Sequence, residues 1–115
     1  MRSDDELLLD LLLHAREARD LAAGRDEEQL VADREFQLAL VKLIEIVGEA
    51  AARLSQQARA RTPQIPWPEI IAMRHRLVHD YFRVDLEVLW AVVQTDLEPL
   101  IAAIEPLVPP EEPAP

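Results

Sequence analysis

Arg74, His75, Arg76, Leu77, Val78, His79, Asp80, Tyr81 and Phe82 bring two arginines, two histidines and the chain's only tyrosine into nine residues. Arginine carries a permanent, planar positive fork suited to phosphate, and histidine exchanges a proton near neutral pH. Together they have the chemistry to handle a phosphodiester. The spacing is R-x4-H-x-Y, from Arg74 through His79 to Tyr81.

Each of these residues also has a plainer use. Arg74 falls on the apolar side of its segment, four residues after Ile70 and three before Leu77. A partly buried arginine there needs an anion, supplied either by a ligand or by an acid of the preceding helix such as Glu45 or Glu49. His79 could be a helix-terminal histidine stacked on the core, and Tyr81 an anchor for the following turn. His75 and His79 stand four apart, a spacing known from zinc sites, but no cysteine or third nearby histidine completes a set, so no metal and no cofactor is expected. The lone His14 reads as structural or solvent-facing. On an ideal helix, residues five apart point about 140° from one another. Arg74 and His79 can therefore serve one phosphate only if the helix ends or bends before His79, or if two subunits share a cleft.

The chain has 115 residues, half of them hydrophobic, with two glycines and no cysteine. These values predict one small helical domain without a disulfide framework, consistent with a reducing cytoplasm. The leucines of 7–13 follow acids and precede His14, Arg16, Glu17 and Arg19, which fits neither a signal peptide nor a membrane span. A net charge of -10 argues against indiscriminate binding to nucleic acid, whose affinity rests on neutralising phosphates. Charge is uneven, however: Arg53, Arg59, Arg61, Arg74, Arg76 and Arg83 face only Glu69 and Asp80 between 53 and 83. That segment could admit RNA onto an otherwise acidic body, or its arginines could simply be solvated.

Hydrophobic periodicity predicts an all-α fold, an antiparallel four-helix bundle over residues 1–105 with a possible short extra helix, followed by a proline-rich tail over 106–115. Ser3 and Glu6 have capping-box spacing for a first helix that stops at Gly24. Phe36, Leu40, Leu43, Ile44, Val47, Ala50, Ala51, Leu54 and Ala58 form the stripe of a second helix, in which Gly48 implies a close helix contact. Thr62 to Pro68 must break it, and Pro68 suits the first turn of a third helix. Asp85 can cap a fourth, kinked near Pro99. Val84, Val88 and Val92 form a second apolar line on that helix, which suggests a partner surface and a homodimer.

R-x4-H-x-Y, the segment Leu43-Ile44-Glu45-Ile46-Val47-Gly48-Glu49-Ala50-Ala51, the lead-in Ile65-Pro66-Trp67 and Ile71-Ala72-Met73-Arg74, and the run Asp85-Leu86-Glu87-Val88-Leu89-Trp90 occur in order. In these features the chain resembles the HepT-like (DUF86) HEPN-domain ribonuclease toxins encoded beside a minimal nucleotidyltransferase antitoxin. His75 departs from the asparagine often found after the motif arginine in that family. The resemblance implies a HEPN bundle and metal-independent RNA cleavage that leaves a 2′,3′-cyclic phosphate. It implies catalysis by Arg74 and His79, supported on RNA by His75, Arg76 and Arg83. It also implies a homodimer silenced when the cognate nucleotidyltransferase antitoxin transfers AMP to Tyr81. Because some HEPN proteins are non-catalytic, an adaptor or substrate-binding subunit of the nucleotidyltransferase is the alternative.

Overall fold

The computed structural model describes residues 2–80 and 83–109. Ser3 opens α1 (Asp4–Ala22) by accepting the Glu6 amide at 3.2 Å, and Gly24 follows it with φ of 75°, a left-handed backbone that a side chain would strain. The short α2 (Glu27–Ala32), the extra helix, begins with a complete capping box between Asp26 and Gln29. Asp33 then caps α3 (Arg34–Arg53).

The second apolar stripe does not continue to Ala58 as one helix. Leu54 is extended, and Ser55 caps a separate α4 (Gln56–Ala60) by accepting the Ala58 amide. Asp4 accounts for the break, because its carboxylate accepts both the Ser55 amide, at 2.9 Å, and the Ser55 hydroxyl, at 2.7 Å. A helix passing through Ser55 would spend that amide internally. The connection to α5 (Trp67–Leu77) is fastened by Trp67, whose Nε1 donates to the buried Thr62 hydroxyl at 2.9 Å.

After Leu77 the chain enters a two-stranded antiparallel ribbon, β1 (Val78–Asp80) and β2 (Arg83–Val84), where periodicity had suggested only a turn. Its base is closed by the Asp85 amide donating to the Leu77 carbonyl at 2.7 Å. Asp85 caps α6 (Leu86–Ala91), which passes through a π-helical turn (Val92–Asp96) into α7 (Leu97–Ile104). The expected distortion at Pro99 thus appears upstream of the proline as a widened turn. Pro99 has no amide for the Thr95 carbonyl and its ring crowds that carbonyl.

The core is one cluster joining α1, α3, α5 and α7, with fully buried Leu11, Leu40, Ile44, Leu77 and Ile104. The outer line of valines expected on the last helix is not exposed. Val92 belongs to the core and Val84 and Val88 pack against it, because α6 lies against both α2 and α5, which cover its second face. The start of the proline-rich segment is also structured: Glu105–Leu107 forms a 3-10 turn, and Leu107 and Val108 are half-buried against the core. Residues 110–115 of the expected tail lie outside the described residues. No helix among the described residues is long and apolar enough to cross a membrane.

Candidate active site

Gly48 fixes where α5 lies. A Cβ at this position would stand 3.2 Å from the Ile70 carbonyl oxygen and 3.8 Å from that of Ile71, so hydrogen is the substituent that lets the two backbones approach this closely without adjustment. The contact sets the height and rotation of α5 against α3, and α5 carries Arg74, His75 and Arg76.

The helix ends at Leu77, three residues beyond Arg74 and two short of His79. His79 therefore stands on extended backbone, and the angular separation that an unbroken helix would impose does not apply. The ribbon adds a further adjustment. Val78 pairs with Val84 and Asp80 with Arg83, so β1 spends two steps where β2 spends one, and His79 is the extra residue of a β-bulge. Bulges of this kind bend a strand and change the direction of the residue they insert. Leu77, fully buried, pins the junction between helix and ribbon.

The side chains of Arg74, His79 and Arg83 lie outside the described atoms, and Tyr81 lies outside the described residues, so their placement here is that of their backbone and sequence positions. His75 and Arg76 are exposed on α5, and Arg76 makes no ion pair with any described residue. Glu49, one of the acids considered as an internal partner for Arg74, is held by Arg53 at 3.0 Å. Arg61 lies in the field of Asp4, whose pKa is lowered first by the Ser55 amide, then by the Ser55 hydroxyl and by Arg61. Two of the six arginines counted between 53 and 83 thus have acidic neighbours, and the positive surplus available to a polyanion is smaller than the sequence count.

His14, outside this region, donates from Nδ1 to the Asp10 carbonyl at 2.6 Å and is half-buried, which gives it a structural role. Among the described residues there is no group of three or more His, Cys, Asp or Glu that could hold a metal ion. Sequence reading missed a groove beside the motif. A cavity of about 240 Å³ lies between α5 and α7, with Ile70, Met73, Leu97 and Leu100 in its wall and Arg76 at its rim. It depends on the π turn, which the sequence signalled only through Pro99.

Residues 11–107 match the family model described as Ribonuclease HepT-like. Among curated proteins, the chain is 38% identical over 80 residues to "Probable ribonuclease HepT" of Thermococcus cleftensis, covering 70% of this chain and 73% of that protein. It is 28% identical over 98 residues to "Putative RNase MJ1380" of Methanocaldococcus jannaschii, covering 85% of this chain and 90% of that one. No solved structure matches.

Proposed function

The chain belongs to the ribonuclease HepT-like family, and from that membership we propose that it is a toxin ribonuclease cleaving RNA without a metal ion, with Arg74 and His79 as its catalytic residues. The observation that carries the assignment is the interruption of α5 at Leu77, which lifts the helical constraint separating Arg74 from His79 and puts His79 on a bulge.

In the proposed step the 2′-oxygen of RNA attacks phosphorus while His79 takes its proton. The bond from phosphorus to the 5′-oxygen breaks, and the leaving oxygen is protonated, leaving a 2′,3′-cyclic phosphate. Arg74 binds the phosphate and offsets the charge that grows on its oxygens. One histidine cannot be base and acid in the same instant, so a homodimer with a shared cleft completes the chemistry, the partner subunit's His79 acting as the acid.

Tyr81 is two residues from His79 and is the chain's only tyrosine. We assign it as the residue to which a cognate minimal nucleotidyltransferase antitoxin adds AMP. The added phosphate brings negative charge and bulk beside Arg74, Arg76 and Arg83 and competes with substrate.

Incubating the purified, unmodified protein with RNA in EDTA, with product ends read by mass spectrometry, tests the central claim. Cyclic phosphate ends are expected, with losses of about 10²-fold or more in Arg74→Ala and His79→Ala proteins that remain folded. Cleavage abolished by EDTA, or undiminished in His79→Ala, would reject the mechanism. No cleavage by the wild type would favour the adaptor. For Tyr81, intact mass after incubation with ATP, Mg²⁺ and the nucleotidyltransferase should show AMP additions that Tyr81→Phe lacks; equal labelling of both proteins would remove that assignment.

A further inference from the structure

We propose that the groove between α5 and α7 is a nucleobase subsite, which seats a base of the RNA next to the scissile phosphate and favours bases that carry an exocyclic amine. The proposal rests on the ribonuclease reading for its link to catalysis, and on the groove itself for its chemistry.

Size comes first. At about 240 Å³ the cavity is smaller than the roughly 300–1,000 Å³ of sites that bury drug-sized molecules. It has room for one planar ring system. Its wall is apolar, formed by buried Ile70 and Met73 of α5 and Leu97 and Leu100 of α7, the surface on which a base face can pack.

The polar lining comes from three segments. Thr95 and Asp96 contribute from the π turn, Glu69 from α5 and Gln64 from the loop before it, and all four are exposed. Asp96 stands at the helix junction without using its side chain as a cap, so its carboxylate is not consumed by the backbone. Pro99 deprives the Thr95 carbonyl of its usual i+4 donor. Gln64 and Thr95 can donate as well as accept, but the carboxylates of Glu69 and Asp96 only accept, so the surplus on this edge suits a ligand edge that presents N–H groups. Cytosine offers its N4 amine, and adenine and guanine also carry amines; uracil has no amine, and its one edge donor, N3–H, is flanked by two carbonyl oxygens that a carboxylate repels.

A free acceptor-rich groove could equally attract a small cation, but Arg76 on the rim opposes this. Its guanidinium, unpaired among the described residues, suits the phosphate of a nucleotide whose base lies in the groove. Position along the chain agrees: Met73 of the wall directly precedes Arg74, and Arg76 of the rim comes three residues before His79. A base in the groove with its phosphate on Arg76 would thus lie along the helix that carries Arg74.

The test titrates ¹⁵N-labelled full-length protein with CMP, GMP and UMP, and in parallel measures cleavage of oligonucleotides differing at single positions. CMP and GMP should shift the amides of Met73, Thr95, Asp96 and Leu97, binding about fivefold or more tightly than UMP. Asp96→Asn should erase that discrimination in both binding and cleavage. Ala103→Trp, which fills the groove from a half-buried rim position without disturbing the floor, should abolish the shifts. Nucleotide shifts that bypass the groove, equal binding of all three, or a response to spermidine with none to nucleotides would overturn the proposal. If the wild type binds CMP in the groove with the expected preference yet cleaves no RNA, the subsite stands and the ribonuclease reading fails. Cleavage that is indifferent to base and to Ala103→Trp would sink the subsite and leave the ribonuclease reading standing.

Discussion

Gly48 is the residue on which the site's geometry turns, although it touches no substrate. Alanine would gain about 1 kcal/mol of helix propensity, but its Cβ would press a main-chain carbonyl at 3.2 Å. Gly48→Ala should therefore leave stability within about 1 kcal/mol of wild type. Gly48→Leu, which must push α5 away, should cost roughly 1–3 kcal/mol in urea unfolding and reduce cleavage as α5 shifts. Asp4 acts at the other end of the bundle. Its pKa is lowered chiefly by the Ser55 amide, so its contribution is present above the unfolded value of about 3.9 and fades as pH falls through the lower folded value. Thermal melts should show Asp4→Ala below wild type at pH 7, with the gap closing below about pH 4. A gap that widens in acid would contradict this role.

At the scale of elements, the junction from α5 through the ribbon to α6 matters most, because it sets the direction of the His79 backbone. Asp85 holds its far side: its amide closes the ribbon on Leu77 and its carboxylate accepts the Val88 amide at 3.1 Å to start α6. Asp85→Ala removes a cap typically worth about 1 kcal/mol. It should lower the urea midpoint about as much as Ser3→Ala, which removes the equivalent cap from α1, or more. Only Asp85→Ala should also cut RNA cleavage. Equal cleavage by both variants would mean that the ribbon does not need its anchor for catalysis.

For the molecule as a whole, a net charge of -10 would confine a bound polyanion to the few places where arginines stand clear of acids. Binding should therefore be weak, local and only moderately salt-dependent. Each phosphate contact with single-stranded RNA contributes about -0.7 to the slope of log K against log salt. Titrations of the cleavage-dead His79→Ala protein should give a slope of only a few such contacts, whereas a steep slope would indicate a basic face beyond the α5 arginines. Light scattering should report a dimer, and a monomer at micromolar concentration would remove the shared cleft.

The sequence by itself determined the helices that announce themselves through local physics. Ser3, Asp85 and Gly24 mark termini because caps and left-handed stops depend on neighbours a few residues away, and the stripe from Phe36 to Ala51 needs only a period. It also identified the R-x4-H-x-Y motif and, through Gly48, the existence of a close helix contact. What only the tertiary structure decided were features set by distant partners. The break at Leu54 needs Asp4, fifty-one residues away from Ser55, to take an amide that the helix would otherwise use. Pairing of Val78 with Val84 needs two short segments to meet, and a three-residue strand carries too little pattern to declare itself. Val92 reads as a surface residue on an ideal helix, yet it opens a π turn whose wider coil lets both it and Val93 face the core. The groove beside Arg76 exists only where α5 and α7 face each other, and no local signal in either helix could have revealed it.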